Sequence, residues 1–422
     1  MDHAAADRMI RDWFAGALAA VDPAAAVARA VEGLPELAGG PPPVVLAVGK
    51  AAGAMTAGLL AALPDGIVRG AVITKDRRTV PPLPAHVDVF EAGHPIPDGR
   101  SITATTAALA MLGGAKPDDG VVVLISGGGS ALFEAPVEGV TLADIAALTR
   151  TMLNAGATIN ELNAVRGRLS QVKQGGLLRF MRDDHPTTLV LSDVIGNDLG
   201  IIASGPTVPA ATFVEEPDAI LDRLGVWPSV PSVIRAALAA APRRLASSVG
   251  RGVVRIVADN DTAIDAFARD AADQFAVDVA WRQRVGEARV LAVDWVERCR
   301  SASADVDVII GGGEATVTVR GDGVGGRNTE FAVSAALELD RHGVDGWVVA
   351  SLATDGDDGP TGAAGGIVSR RTAQAARDAG IDLEAALGAN DTLRVLDAAG
   401  ATVRTGPTGT NVNDLYVAVR VR

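Results

Sequence analysis

Residues 305–330 constrain the fold more than any other stretch of the chain. Residues 305–310 form an apolar, β-branched run that leads into Gly311-Gly312-Gly313-Glu314, residues 315–319 form a second such run, and Gly325-Gly326 then places Arg327 at the mouth of a helix predicted from Asn328 to about Leu339. β-Branched runs of this length suit strands. The glycines between them read as a tight turn whose backbone N–H groups can approach an anion closely. A helix N-terminus favours negative charge, and arginine adds a planar, permanently charged fork that suits phosphate or carboxylate. The stretch therefore predicts an anion site built from Gly311, Gly312, Gly313, Glu314 and Arg327. The plainer alternative is a tight turn beside a surface arginine.

The same grammar recurs along the chain. Residues 44–48 are a buried-strand pattern running into Gly49-Lys50-Ala51-Ala52-Gly53 and a helix of small residues, which makes a βα unit. Lys50 falls at the carboxyl end of that strand, where open α/β sheets bind ligands. The segment is not a phosphate-binding Walker loop, because the first glycine of that pattern would fall at Val44. Strands follow at 70–74 and 87–90, then the loop Gly93-His94-Pro95-Ile96-Pro97-Asp98, which caps the next helix; His94 is a ligand or base, or a structural turn histidine. The run 121–125 delivers Ser126-Gly127-Gly128-Gly129-Ser130, an amide-rich cradle for phosphate or carboxylate; no G-x-S-x-G nucleophile elbow is present. Residues 142–180 are helical in pattern and put Arg166 and Lys173 on one face, either as anion ligands or as part of a solvated amphipathic helix. Strand 187–191 delivers Asp193, a metal ligand, a base or a plain turn aspartate.

A proline-rich helical stretch, 209–252, connects two domains, placed at 1–240 and 250–422. In the second domain, strand 346–352 delivers the densest acidic loop of the chain, Thr354-Asp355-Gly356-Asp357-Asp358-Gly359-Pro360-Thr361. It lacks the ligand spacing of an EF-hand, and suits a Mg²⁺ ion held by one or two carboxylates plus phosphates. A glycine- and threonine-rich loop carrying Asn411 precedes the last strand, 415–421. The fold class is α/β, and with aromatics at 3 % the core must be made of Val, Leu, Ile and Ala. A net charge of −13 argues against a nucleic-acid partner. The single cysteine, Cys299, forbids an intramolecular disulfide and suits a reducing compartment. No run of about 18 apolar residues suggests a membrane span, and the acidic N-terminus is unlike a signal peptide. These features predict a cytoplasmic protein without a membrane partner.

Taken together, the motifs resemble the class II glycerate 2-kinases, whose C-terminal part is the MOFRL domain and some of whose members are labelled hydroxypyruvate reductase. The resemblance rests on Ala47-Val-Gly-Lys-Ala51, Gly93-His-Pro-Ile-Pro-Asp98, Ile125-Ser-Gly-Gly-Gly-Ser-Ala131, Asn163-Ala-Val-Arg166 and Ser192-Asp-Val-Ile-Gly196. It continues with Gly311-Gly-Gly-Glu314, Gly326-Arg-Asn-Thr-Glu330, Thr354-Asp-Gly-Asp-Asp-Gly-Pro-Thr361 and Thr405-Gly-Pro-Thr-Gly-Thr-Asn-Val-Asn-Asp414. The family more often carries an acidic residue where Gly362 and Ser369 stand here. The resemblance implies two α/β domains, a Rossmann-like N-terminal one and a smaller C-terminal one, with an active site in the cleft between them. It implies ATP-dependent, Mg²⁺-assisted phosphorylation of D-glycerate at the 2-hydroxyl, and leaves room for a homodimer. By carry-over, Lys50 and Arg327 bind phosphate or the substrate carboxylate and stabilise the transferring charge. Asp193 serves as base or metal ligand, Asp355 and Asp358 serve the metal, and residues 126–130 hold an anionic group. Two other readings stay open: an NAD(P)H-dependent hydroxypyruvate reductase, against which stands the missing G-x-G-x-x-G fingerprint, and a non-catalytic sugar-acid-binding protein on the same fold.

Overall fold

The structure is a computed structural model and describes residues 1–116, 118–181, 185–208, 215–240 and 252–421. Among the described residues, twelve strands fall into two six-stranded sheets. In chain order they are β1 (Val44–Val48), β2 (Arg69–Thr74), β3 (Val87–Glu91), β4 (Val121–Ile125), β5 (Thr187–Leu191), β6 (Val254–Ala258), β7 (Val277–Glu287), β8 (Val308–Thr316), β9 (Trp347–Ala353), β10 (Gly365–Val368), β11 (Thr402–Val403) and β12 (Asp414–Arg420). The chain divides into two compact units, one of residues Ala26–Ser192 and Asn197–Val257, the other of Met1–Ala25, Asp193–Gly196 and Ala258–Arg422.

The first sheet has the order β3-β2-β1-β4-β5-β6. β1 runs parallel to both β2 and β4, and β4 parallel to β5. Every residue of β1 and β4 is buried, which is why both read as unbroken Val/Leu/Ile runs rather than as alternating patterns: helices cover a parallel sheet on both faces. Chain order turns back between β1 and β4, and the carboxyl ends of the strands at such a switch point are the general ligand position of doubly wound sheets. Lys50 leaves β1 and residues 126–130 leave β4 at that point.

The second sheet, β11-β10-β9-β12-β8-β7, is mixed: β12 lies antiparallel between β8 and β9, while β7 runs parallel to β8. The helix Arg327–Arg341 packs into it with every residue from Asn328 to Leu339 buried. Its Phe331 stacks on Tyr416 at 4.8 Å, and Trp295 and Trp281 complete an aromatic cluster in an otherwise aliphatic core.

Two expectations are corrected here. First, residues 305–319 are not two strands joined by a glycine turn. β8 is one strand: Gly311, Gly312 and Gly313 all pair with β12, and Gly311 and Gly313 also pair with β7. Those backbone groups belong to the sheet ladder, so the three glycines form no anion cradle. Second, the N-terminal helix His3–Ala20 does not belong with residues 26–240. It packs on the helix Asn260–Ala272, with Trp13 edge-on to Phe267 at 5.5 Å and to Phe275 at 5.7 Å. Its amphipathic pattern shows that it must bury a face, but not against which partner. Among the described residues no single helix is long and apolar enough to cross a membrane.

Candidate functional site

The first constellation stands at the β1/β4 point of the parallel sheet. The Lys50 N–H donates to the Gly127 carbonyl at 2.9 Å, and the Ala51 N–H donates to Ser126 Oγ at 3.1 Å, so the two loops are tied together. Ser126 is buried and its hydroxyl belongs to this tie. Gly128 has φ +84°, a left-handed conformation that glycine adopts without steric cost. The turn that results leaves the N–H groups of Gly127, Gly128, Gly129 and Ser130 without a hydrogen-bond acceptor among the described residues. Converging free amides of this kind form a nest for an anion. Ser130 Oγ lies 2.8 Å from Ser204 Oγ, and Ala203 and Ser204 hold φ of +51° and +61° against this turn.

Two cationic or titratable groups flank the nest. A Cβ on Gly128 would lie 3.0 Å from His94 Nε2 and 3.4 Å from Lys50 Cε, so both side chains stand over that residue. The Lys50 side chain is exposed, and its ammonium makes no hydrogen bond or ion pair with the described residues. Burial, and then the charges of Lys50 and Lys75, hold His94 below the ordinary histidine range, so near neutral pH it is an uncharged imidazole.

Arg166 and Lys173 do not share a helix face. The helix Ile159–Arg168 ends before Lys173. Lys173 is 2 % exposed and donates from Nζ to Glu134 Oε2 at 2.5 Å. Desolvation lowers its pKa, Glu134 opposes that shift, and the Arg166 charge adds to it. A buried, paired ammonium cannot meet a ligand, so the predicted phosphate-binding role of Lys173 is replaced by a structural one. Arg166 remains half-buried, its guanidinium without a hydrogen bond to the described residues.

The second constellation gathers at one end of the mixed sheet. Asp414, the first residue of β12, is in register with Gly313 of β8 and Ala353 of β9. Glu314 therefore lies one residue beyond its partner, and Asp355 two beyond. Asp414 is fully buried and accepts from Arg327 Nε at 2.7 Å and from Asn328 Nδ2 at 2.9 Å. Arg327 Nη1 stands 3.9 Å from Glu314 Oε1. Burial raises the Glu314 pKa; Arg327 opposes this, and Asp414 and Asp193 reinforce it. Asp355 is raised likewise by burial, with one carboxylate oxygen accepting from the Asp357 N–H at 3.0 Å. Asn411 lies on the loop before β12, where its Oδ1 accepts from the Asn413 N–H at 3.1 Å.

Asp358, predicted as a metal ligand, is a helix cap. It accepts from the Asn328 N–H at 2.9 Å and the Thr329 N–H at 2.7 Å, the first free donors of the helix Arg327–Arg341. Both of its oxygens are engaged and its side chain is 2 % exposed. Among the described residues no three His, Cys, Asp or Glu side chains form a metal-ligand group.

Asp414 and Asn328 were not singled out in the sequence. Both appear only inside the motifs 326–330 and 405–414 that carry the family resemblance, without a role of their own; apart from that, Asp414 is signalled only as an acidic residue opening an otherwise apolar strand.

Residues 9–239 match a family model described as a domain of unknown function (DUF4147), and residues 307–414 match the MOFRL family. The chain is 38 % identical to a D-glycerate 2-kinase of Thermotoga maritima over 90 % of both proteins. It is 39 % identical to a glycerate 2-kinase of Pyrococcus horikoshii over 79 % of this chain and 78 % of that one. A relative from Agrobacterium vitis, 40 % identical over 97 % of this chain and 93 % of its own length, carries hydroxypyruvate reductase in its name. The crystal structure of a Thermotoga maritima glycerate kinase superposes with a TM-score of 0.90 at 35 % identity, covering 99 % of this chain and all of that one.

Proposed function

The chain belongs to the MOFRL-type glycerate kinase family, and from that premise we propose that it transfers the γ-phosphoryl group of ATP to the 2-hydroxyl of D-glycerate. The observation that carries this reading is the nest of amides from Gly127 to Ser130 beside Lys50, both without a partner among the described residues, at the carboxyl end of a doubly wound sheet. Phosphoryl transfer asks little covalent chemistry of the protein and much positioning and charge stabilisation. The 126–130 nest and Lys50 bind an anionic group. Arg327 supplies a permanent charge to phosphoryl or carboxylate oxygens. Asp193 accepts the proton of the 2-hydroxyl as its oxygen bonds to phosphorus and the bond to ADP breaks. ATP and glycerate both suit a cytoplasmic setting.

The carboxylates of Glu314 and Asp355 fit Mg²⁺: they are hard oxygen donors, and both are raised by burial and by neighbouring negative charge. They form no dedicated cage, which agrees with an ion held by one or two carboxylates and the nucleotide phosphates. Bound there, the ion would neutralise charge on the phosphates. Asp355→Asn is expected to raise the Mg²⁺ concentration for half-maximal rate by about 10-fold or more with an unchanged melting temperature. Wild-type Mg²⁺ dependence would reduce the acidic loop to a turn.

The deciding assay has two arms. Purified protein with ATP, Mg²⁺ and D-glycerate should yield ADP and 2-phosphoglycerate, with the isomer identified by ³¹P and ¹H NMR. NADH with hydroxypyruvate should show no turnover, because after β1 the chain reads Gly49-Lys50-Ala51-Ala52-Gly53-Ala54, with alanine at the second and third glycine positions of a dinucleotide fingerprint. NADH oxidation without ATP consumption would replace the kinase reading with the reductase one.

A further inference from the structure

A guanidinium can meet an anion along two edges, Nε with one Nη, or Nη1 with Nη2. In Arg327 the first edge is closed. Nε donates to Asp414 at 2.7 Å, and Asp414 has no exposed surface. Asp414 is itself held from a second side by Asn328 Nδ2 at 2.9 Å, and Asn328 is oriented in turn by Ser351 Oγ, which donates to its Oδ1 at 2.7 Å. Asp358 fixes the backbone of the next two residues by capping the helix. Arg327 is thus gripped at its inner end by a buried network, while 29 % of its side chain stays exposed. Neither Nη1 nor Nη2 donates a hydrogen bond to the described residues, and Glu314 flanks Nη1 at 3.9 Å without reaching it.

We propose that Asp414 is the positioning residue for Arg327: by holding Nε inside, it leaves the Nη1/Nη2 edge as the paired donor offered to the substrate. That edge suits two oxygens of one carboxylate or phosphoryl group met end-on. The proposal rests on the reading that Arg327 binds such a group. Asp414 does not touch substrate; its charge acts through the guanidinium, and its burial keeps the pair out of water, where an exposed ion pair would hold little.

A double-mutant cycle separates this role from a general structural one. Arg327→Ala should cost about 10²-fold or more in kcat/KM. Asp414→Asn, which keeps the shape and removes the charge, should cost roughly 10-fold or more, mostly in kcat, because misplacement of a charge-stabilising group weakens the transition state more than the ground state. The double variant should be no slower than Arg327→Ala alone, since Asp414 has nothing left to position. A double variant whose loss is the product of the two single losses would overturn the proposal, as would wild-type kcat/KM in Asp414→Asn. Wild-type kcat/KM in Arg327→Ala would instead overturn the underlying reading of Arg327. Should Asp414→Asn not fold, Asp414→Glu keeps the charge and shifts it by one methylene. It should lose kcat in the folded protein, with a melting temperature lowered by the extra methylene at a buried site, and unchanged kcat there would equally defeat the proposal.

Discussion

Replacing Lys50 with methionine is expected to lower kcat/KM by roughly 10²- to 10³-fold, the range found when one preorganised charge-stabilising group is removed, with the melting temperature within a degree or two of wild type. The two halves of this expectation have separate causes. Lys50 is exposed and its ammonium has no protein partner among the described residues, so the fold loses no contact of its head group. Methionine also keeps an unbranched stem of similar length. The functional loss follows from where that ammonium stands. It stands over Gly128 with a neutral His94, beside four amides that have no acceptor among the described residues. Steady-state kinetics with D-glycerate and ATP, beside a thermal melt, would check both halves. Near-wild-type kcat/KM would make Lys50 a solvated helix-start lysine and take the nest out of the active site.

How much of this was legible in the sequence depended on how local the cause was. β1 and β4 announce themselves as unbroken apolar runs because each is buried on both faces, and the motif after each run is read in place. That the two strands are neighbours at the point where chain order turns back is a matter of topology, and no residue in either run encodes it. Arg327 was legible from two glycines before a helix. Its partner Asp414, 87 residues further on, was not, because an ion pair across a sheet leaves no spacing in the chain. Lys173 failed for the opposite reason. Its distance from Arg166 fits a helical face, but the helix ends at Arg168 and the lysine turns inward to Glu134. Asp358 looked like one more member of an acidic loop. Only the position of the loop against the N-terminus of the helix Arg327–Arg341 makes it a cap.

The sharpest divergence lies in two glycine runs that look alike. After β4, glycines make a turn with free amides; in β8, they lie within a paired strand. The second run is explained by what sits against it. β7 crosses so close to β8 that a Cβ on Gly313 would collide with the Arg284 carbonyl oxygen and lie 2.5 Å from the Arg284 nitrogen. The β7–β8 register breaks on either side of Trp281, so the neighbouring strand is already irregular where it passes these glycines. The obstacle at Gly313 is backbone, which cannot swing aside as a long side chain can. Gly313→Ala is therefore expected to destabilise the fold by roughly 3 kcal/mol, the upper end of ordinary overpacking costs, and to lower the melting temperature by about 6–12 °C for a unit of this size. Differential scanning calorimetry of the variant would measure it. Since Glu314 follows directly and Asp414 is the cross-strand partner of Gly313, the surviving folded fraction should also lose turnover as β8 shifts under Arg327. A melting temperature equal to wild type would show that β7 and β8 can separate at no cost, and that glycine at 313 is not there for close packing.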